Sequence, residues 1–469
     1  MIIPIGIAFG YGESDLSGFL YSCGISVLIG TPLWFFTRKG HNLTNKDGFA
    51  IVTFAWILTG IVGALPFYLS NAIPNITDAF FESMSGVTTT GATILGSAIT
   101  LPHLPNGIES LPHGILFWRS FIQWIGGMGI VVFTIAILPL LGVGGVQLFK
   151  AEVPGPVSDK IRPRVKETAK FLWMVYLGIT SVEIIMLGIA GMDWFDAICH
   201  SFTTMPTGGF STKNASIGYY DNVGIHYIII LFMFIAGVNF TLHFRAITGD
   251  LKSYFRDSEF ITYSSLIFVI TIVISISLVI NAGNWSFSYI TDSLFQTVSI
   301  LTTTGFGTAD YELWAFFAQF LILILMFIGG MGGSTAGGMK IVRMMLIIKY
   351  AALETRRMLH AKAIIPIRIG ERFISGDVIR NTLGFFLFYI FIFVFTSFML
   401  TTLNIDLKSS MGVAASALGN IGPALGQFGP TDNYALLPDA AKWLLTFCML
   451  LGRLEIFTVV VLFSKTFRN

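Results

Sequence analysis

Residues 292–307 read Asp-Ser-Leu-Phe-Gln-Thr-Val-Ser-Ile-Leu-Thr-Thr-Thr-Gly-Phe-Gly, and variants of this stretch occur at four places along the chain. Each copy begins with an apolar helical stretch of about a dozen residues, which is too short to cross a membrane. In three copies an aspartate precedes the aligned glycine by 13 residues, and in the fourth a serine takes its place. The pairs are Asp78 with Gly91, Asp196 with Gly209, Asp292 with Gly305, and Ser409 with Gly422. This repeat predicts a molecule built from four related units.

The composition around these copies is that of a membrane protein. Hydrophobic residues make up 54% of the chain and charged residues only 12%, whereas soluble domains carry roughly 25% charged residues. Apolar runs long enough to span about 30 Å of hydrocarbon recur along the whole length and leave no room for a separate soluble domain. The runs begin near Gly18, Gly48, Gly114, Ala169, Gly224, Phe260, Trp314, Ile379 and Ala440.

The basic residues set the orientation, because Lys and Arg concentrate in cytoplasmic loops. When alternate connections are cytoplasmic, only Lys213, Lys408 and Lys442 of the 28 basic residues lie outside, and Arg119 and Arg453 fall within spans. Every copy of the repeat then lies in an outer connection, where a short apolar stretch indicates a re-entrant half-helix. We expect the aligned acid to cap the start of its half-helix. The outer connections are 71–113, 191–222, 282–313 and 404–439.

The segments after the half-helices suit a cation filter, in which backbone carbonyls replace the hydration shell of the ion. Glycine allows the positive φ angles that turn carbonyls inward, and the C-terminal ends of half-helices favour cations. No charged residue lies within these four short segments, which argues against a ring of carboxylates. The alternative is that the glycines are small-residue packing positions between helices. Four aligned copies on one side of the membrane favour the filter, whose glycines are Gly91, Gly209, Gly305 and Gly422.

Two features beneath the copies are candidates for gating. Six glycines interrupt a predicted span within residues 329–338, and each costs about 1 kcal/mol against alanine in a helix. This favours a flexible plug over the alternative, a close-packed kink. Arg453 lies within a span, where it would repel cations if it faced the pathway; the alternative is a salt bridge to Glu455 or another buried acid. Arg119 lies near the outer end of its span, where it could snorkel to the surface, and we expect a structural role.

Several motifs together resemble one known family. They are the first copy of the repeat at residues 78–93, Gln-Trp-Ile-Gly-Gly-Met-Gly at 123–129, Ala-Glu-Val-Pro-Gly-Pro at 151–156, and Gly-Arg-Leu-Glu-Ile-Phe at 452–457. This combination resembles the TrkH family, the membrane subunits of bacterial Trk potassium uptake systems in the Trk/Ktr/HKT superfamily. The resemblance covers essentially the whole chain.

The resemblance implies a homodimer in the bacterial inner membrane, with one pore in each protomer and the lipid bilayer as its surroundings. It also implies a cytosolic RCK-type regulatory subunit (TrkA) on the inner face, which would carry the nucleotide, ATP/ADP or NAD. The chain itself would hold no cofactor, and K⁺ would be the transported ion. Within the superfamily a serine at the first filter glycine goes with Na⁺ transport, so Gly91 favours K⁺.

The family's site residues carry over position by position. The implied K⁺ ligands are the backbone carbonyls of Thr89, Thr90, Thr207, Gly208, Thr303, Thr304, Asn420 and Ile421. The implied gating residues are Gly329, Gly330, Gly332, Gly333, Ser334, Thr335, Gly337, Gly338 and Arg453. Family members carry two helices before the first repeat; residues 1–9 are apolar but too short to span, so we expect the first of these helices to be incomplete here.

The predicted fold is an all-α polytopic membrane protein with four pseudo-symmetric helix–pore-loop–helix repeats and one flanking helix. The expected divisions are a flanking helix in 1–47, repeat one in 48–150, repeat two in 151–257, repeat three with the gating loop in 258–372, and repeat four in 373–469. A basic cytoplasmic segment, 340–372, is the expected partner surface, with simple positive-inside anchoring as the alternative.

Three functions remain in competition. The first is channel-like K⁺ uptake with gating from the cytosol. The second is a proton- or sodium-coupled K⁺ symporter of the same fold, which the scarcity of titratable groups at mid-membrane disfavours. The third is a membrane enzyme, and neither paired carboxylates nor a hydrolase motif supports it. Nothing in the sequence indicates a nucleic-acid partner.

Overall fold

The structure is a computed structural model that describes residues 1–37, 45–96, 106–136, 161–360, 366–370 and 372–464. The motif at 151–156 and the residues Arg38, Lys39 and Lys150, which we predict to be cytoplasmic, lie outside these ranges. Within them the fold is all-α, as predicted. One short hairpin interrupts the helices, with Arg368–Ile369 antiparallel to Arg372–Phe373.

The described helices follow the predicted order of long spans and short half-helices. They are α1 (Ile2–Tyr11), α2 (Leu16–Thr37), α3 (Asn45–Leu69), α4 (Ile76–Val87), α5 (His113–Ala136), α6 (Ile161–Ile189), α7 (Trp194–Thr204), α8 (Val223–Ala236), α9 (Phe240–Ile247), α10 (Lys252–Arg256), α11 (Ser258–Ala282), α12 (Phe287–Leu301), α13 (Phe316–Met326), α14 (Ile341–Leu359), α15 (Gly376–Thr402), α16 (Leu407–Gly419), α17 (Asp439–Arg453) and α18 (Phe457–Val460).

Five of the predicted spans are unbroken apolar helices in the described chain, namely α2, α3, α6, α11 and α15. Two others bend sharply, by 102° between α8 and α9 and by 108° between α17 and the segment that begins with α18. Asn239 produces the first bend, because its side chain accepts the Thr241 N–H at 2.8 Å and so starts a new helix. The second bend falls where Glu455 and Ile456 have positive φ angles of 56° and 46°. The span predicted near Trp314 ends at Met326.

Each repeat packs a half-helix against the long helix that precedes it. The half-helices are α4, α7, α12 and α16, and they pack on α3, α6, α11 and α15 respectively. All four half-helices bury most of their second half, so their C-terminal ends meet inside the protein rather than at its lipid surface. This arrangement places the four glycine-containing segments at the centre of the molecule.

The prediction that the aligned acids cap the half-helices is wrong. The caps lie upstream: Asn75 accepts the Thr77 N–H at 2.8 Å, Asp193 that of Phe195 at 2.9 Å, Ser286 that of Ser288 at 3.3 Å, and Asp406 that of Ser409 at 3.0 Å. Asp78, Asp196, Asp292 and the aligned Ser409 therefore lie inside the helices. A cap is defined by the residue at which a helix starts, and each half-helix starts earlier than the repeat alone indicates.

Candidate ion pathway

The four loops after the half-helices share one backbone conformation. In each loop the residue two positions before the filter glycine is left-handed, which is uncommon for a residue with a side chain. The glycine itself also has positive φ in every loop. The pairs are Thr89 (53°) with Gly91 (82°), Thr207 (57°) with Gly209 (74°), Thr303 (58°) with Gly305 (83°), and Asn420 (55°) with Gly422 (101°). The fourth loop has lost its threonines but keeps this shape.

The loops contact one another in a closed ring. A Cβ atom built on a filter glycine would meet the backbone carbonyl oxygen of the next loop in the series, and the series returns from the fourth loop to the first. The contacts join Gly91 to Gly208, Gly209 to Thr304, Gly305 to Ile421, and Gly422 to Thr90, the last at 2.8 Å. Any side chain at these glycines would therefore displace a carbonyl of its neighbour.

Threonine hydroxyls hold two of the loops in shape. The hydroxyls of Thr88 and Thr90 lie 2.8 Å apart in the first loop, and those of Thr302 and Thr304 lie 2.8 Å apart in the third. In the fourth loop Asn420 substitutes for this contact by donating its Nδ2–H to the Thr90 hydroxyl at 2.9 Å. The side chain of Asn420 thereby links the last loop to the first.

Gln123 holds the second loop, and sequence reasoning missed it. Its Nε2 donates to the Gly208 carbonyl at 2.7 Å, and its Oε1 accepts the Phe210 N–H at 3.2 Å. One of the carbonyls predicted as a K⁺ ligand therefore already has a hydrogen bond from the protein. Only its place at the start of the Gln-Trp-Ile-Gly-Gly-Met-Gly motif at 123–129 could have pointed to this residue.

A buried ion pair lies behind the first loop. Arg119 and Glu82 are 2.9 Å apart, with side chains 1% and 0% exposed, so the expected snorkelling of Arg119 is wrong while its structural role holds. Arg119 also donates to the Ser211 carbonyl at 3.0 Å and to the Thr93 hydroxyl at 3.2 Å. It therefore ties the first loop to the second from behind.

The position of Glu82 has a polar counterpart in two of the other half-helices. His200 lies 2.9 Å from the Ser211 hydroxyl through its Nε2, and Gln296 donates to the Ala309 carbonyl at 3.1 Å. The fourth half-helix has Val413 here. Its loop is held instead by Tyr434, whose hydroxyl donates to the Gly422 carbonyl at 2.6 Å.

The aligned acids have a different task from capping, since each of them holds its half-helix to a neighbouring segment. Asp196 accepts from the Thr212 hydroxyl at 2.7 Å, and Asp292 accepts from the Thr308 hydroxyl at 3.3 Å. Asp78 pairs with the buried Lys442 at 2.6 Å. These contacts fasten the body of each half-helix to the segment that follows its loop or to α17.

Further out, Glu312 connects the third outer segment to the fourth. Its carboxylate accepts the Gly426 N–H and lies 3.4 Å from the Lys408 ammonium. Burial raises the pKa of the Glu312 carboxyl, an effect that the Gly426 N–H and Lys408 oppose.

The glycine-rich segment lies directly against the inner ends of the loops. Residues 327–340 are not helical, as predicted for 329–338, and this segment contacts three of the four loops or the half-helix ends that precede them. The Gly337 N–H donates to the Thr303 hydroxyl at 2.6 Å, and the Thr335 hydroxyl donates to the Met205 carbonyl at 2.9 Å. A Cβ on Gly337 would collide with the Gly419 carbonyl just before the fourth loop.

Arg453 fastens this segment in place. Its side chain is 2% exposed and donates to the Thr335 carbonyl at 2.7 Å and to the Gly126 carbonyl at 3.3 Å. The alternative of a salt bridge to Glu455 does not hold, because Glu455 pairs with Arg343. The guanidinium is positively charged, and among the described residues no carboxylate lies within ion-pair distance to neutralise it beside the glycine-rich segment.

Glu183 is a second feature that sequence reasoning missed. It lies in the last third of the α6 span with a side chain that is fully buried, and neither carboxylate oxygen has a hydrogen-bond partner within 3.5 Å in the described part of the chain. An ionisable residue at this depth is a functional candidate by default. A single acid within an apolar run is the signal that could have identified it.

A ring of re-entrant loops inside a bundle of apolar helices defines a membrane transport protein for small ions. The sequence profile of TrkH, described as a cation transport protein, matches residues 19–292 and 260–468. The chain belongs to the TrkH family, and it is a multi-pass membrane transport protein rather than an enzyme.

Individual relatives agree with this assignment over the full length. The chain is 43% identical to the Trk system potassium uptake protein TrkH of Escherichia coli K12, covering 100% of the chain and 95% of the relative. It is 40% identical to the protein of that name from Halomonas elongata, with the same coverage. The crystal structure of the potassium transporter TrkH from Vibrio parahaemolyticus matches with a TM-score of 0.89 and 38% identity, covering 100% of this chain and 96% of that one.

Proposed function

We propose that this protein takes up K⁺ across the bacterial inner membrane through a channel-like pore whose filter is the ring of four loops. The closed series of contacts between each filter glycine and the carbonyl of the next loop carries the proposal. A ring of backbone carbonyls replaces the hydration shell of a cation at no cost in buried charge. Relatives that match over the full length bear the name potassium uptake protein.

The filter ligands in this proposal are the carbonyls of the paired positions that precede each glycine. Thr90, Thr304 and Ile421 have carbonyls that face the glycine of an adjacent loop. Gly208 shares its carbonyl with Gln123, and a carbonyl oxygen with two lone pairs can accept from Gln123 and still coordinate an ion. The remaining ligands are the carbonyls of Thr89, Thr207, Thr303 and Asn420.

Residues 329–338 are the gate in this proposal, with Arg453 as its fastening. The segment lies against the inner ends of the loops, where it obstructs an ion leaving the filter. The positive charge of Arg453 adds an electrostatic barrier to a cation at the same place. Opening requires the contacts of Thr335 and Gly337 to break.

We infer that opening is driven from the cytosol by an RCK-type subunit (TrkA) on a homodimer of this chain. The C-terminal end of α14 offers a surface for such a partner. Four consecutive side chains are exposed there, those of Arg356, Arg357, Met358 and Leu359. Exposed basic and apolar side chains next to one another suit a protein partner better than open water. The nucleotide, ATP/ADP or NAD, would bind the partner.

The test is ion selectivity in liposomes with and without the cytosolic subunit. Purified protein should conduct K⁺ and Rb⁺ but discriminate against Na⁺, and the subunit should increase the flux. Equal permeation of K⁺ and Na⁺ by intact protein would refute the filter assignment. Flux that the subunit never alters would refute the gating partner and leave the filter standing.

A proton-coupled K⁺ symporter is the second candidate, and Glu183 is the observation that favours it. A buried acid without partners could bind and release a proton within the membrane. It lies in α6, however, and none of the contacts that close the ring of loops includes it. The channel-like mechanism therefore remains the better-supported function.

A further inference from the structure

The inner end of the loop ring carries side-chain oxygens that the carbonyl filter does not use. They belong to the residue of each loop that has a left-handed backbone conformation. This conformation points the side chain in a different direction from that of an extended residue. Thr89, Thr303 and Asn420 are completely buried. Neither the Thr89 hydroxyl nor the Asn420 Oδ1 has a hydrogen-bond partner in the described ranges. Buried polar atoms in native proteins are normally satisfied, so these two oxygens are free to accept a bond from a further group.

Gly337 lies between two of these oxygens. Its N–H donates to the Thr303 hydroxyl at 2.6 Å. On its other side, a Cβ atom at Gly337 would lie 3.1 Å from the Asn420 Oδ1. The equivalent position in the second loop differs, because the Thr207 hydroxyl donates to the Pro206 carbonyl. Thr89 occupies the equivalent position in the first loop.

We propose that the side-chain oxygens of Thr89, Thr303 and Asn420 form a cation site at the inner end of the filter, and that the Gly337 N–H occupies it when the gate is closed. Hydroxyl and amide oxygens are hard ligands that suit an alkali cation. The N–H group presents a partial positive charge to the same lone pairs, so it takes the place of the ion. This inference rests on the proposed pore. It adds a site at which the ion and the Gly337 N–H of the gate compete for the same oxygens.

The consequence is competition between the ion and the gate. A cation at this site requires the Gly337 N–H to leave the Thr303 hydroxyl, and a closed gate requires the cation to leave. By linkage, a ligand that binds only the open arrangement shifts the equilibrium toward it as its concentration rises. Potassium itself should therefore loosen residues 329–338, and the cytosolic partner would act on an equilibrium that the ion already biases.

The experiment measures access to the gate as a function of K⁺ concentration. Ser334 is 2% exposed, so a thiol introduced there by Ser334→Cys reports opening through its rate of modification by a water-soluble maleimide. The half-buried native Cys23 is replaced by serine, while Cys199 and Cys448 are buried. Choline replaces K⁺ at constant ionic strength. We expect the modification rate to rise with K⁺ and to saturate.

Variants separate the site from the gate. Thr303→Val removes the acceptor of the Gly337 N–H, so labelling without K⁺ should rise about fivefold, the effect of one hydrogen bond, and its dependence on K⁺ should disappear. Gly337→Ala should also give fast labelling without K⁺, because its Cβ collides with the Gly419 carbonyl. Gly178→Ala, in the α6 span, is the matched control, since its Cβ would meet no atom within 4 Å; it should label like the parent.

Two results would overturn the inner site. One is modification of the parent thiol that is independent of K⁺, and the other is a K⁺ dependence that survives Thr303→Val. Rb⁺ flux through the same preparations keeps this inference apart from the proposed function. If the protein conducts Rb⁺ selectively but its labelling does not depend on K⁺, the inner site is refuted and the proposed pore stands. If the protein shows no selective flux, the proposed pore is refuted. Size-exclusion profiles of each variant exclude misfolding as the cause of fast labelling.

Discussion

Replacing Gly91 with serine should reduce discrimination between K⁺ and Na⁺. Gly91 has a φ of 82°, and a Cβ there would collide with the Gly208 carbonyl oxygen of the adjacent loop. A side chain in a left-handed conformation costs roughly 1–2 kcal/mol, and the carbonyl must also move. If that energy is lost from K⁺ coordination alone, the K⁺/Na⁺ permeability ratio should fall about 5–30-fold. The ratio is measured from reversal potentials under bi-ionic conditions.

The same reasoning gives a graded series and a control. Gly422 has more space, with 2.8 Å to the nearest neighbouring carbonyl oxygen, so Gly422→Ser should reduce the ratio less than Gly91→Ser. Gly178 lies in the α6 span with nothing near its missing side chain, and Gly178→Ser should leave the ratio unchanged. An unaltered ratio in Gly91→Ser protein that still conducts would refute the filter assignment.

Three further changes test other parts of the molecule. Arg453→Ala should raise K⁺ flux without the cytosolic subunit, because the segment loses the hydrogen bond that Arg453 donates to the Thr335 carbonyl. Shortening of 329–338 should have the same effect, because less of the gate then lies against the loops. Glu82→Gln should destabilise the protein by about 3–5 kcal/mol, since it leaves the buried Arg119 without its partner charge; thermal unfolding in detergent measures this. Glu183→Gln should leave K⁺ flux and its dependence on pH unchanged, measured in liposomes.

Each of these expectations has a contrary result. Unaltered basal flux in both gate variants would show that residues 329–338 and Arg453 serve helix packing rather than gating. A melting temperature for Glu82→Gln equal to that of the parent would show that the ion pair contributes little. Loss of pH-dependent flux in Glu183→Gln would support the proton-coupled symporter.

The sequence was sufficient to predict the four loops because their defining features are local. The 13-residue interval, the glycine and the short apolar stretch all lie within one copy of the repeat, and the structure gives all four copies the same backbone shape. The break at 329–338 was also predictable, since glycine weakens a helix wherever it occurs. Even the degenerate fourth loop follows the pattern, with Asn420 in the left-handed position.

What could not be predicted depends on contacts between distant residues. The hydrogen bond of Gln123 to Gly208 joins α5 to the second loop, and that of Asn420 to Thr90 joins the fourth loop to the first. In both cases the two residues are far apart in the chain. The caps were missed because the repeat aligned the acids and not the helix starts. The bends of α8 and α17 were missed because the apolar runs continue across them, so hydropathy alone describes each as one straight span.

The direction of ion flux tests the central claim most directly. Purified protein in liposomes should carry K⁺ and Rb⁺ down an imposed gradient in either direction, with no proton or Na⁺ gradient present. The flux should depend on the filter glycines, and it should be abolished or lose its selectivity when they are replaced. Flux that strictly requires a proton or Na⁺ gradient would contradict a channel-like pore through the four loops.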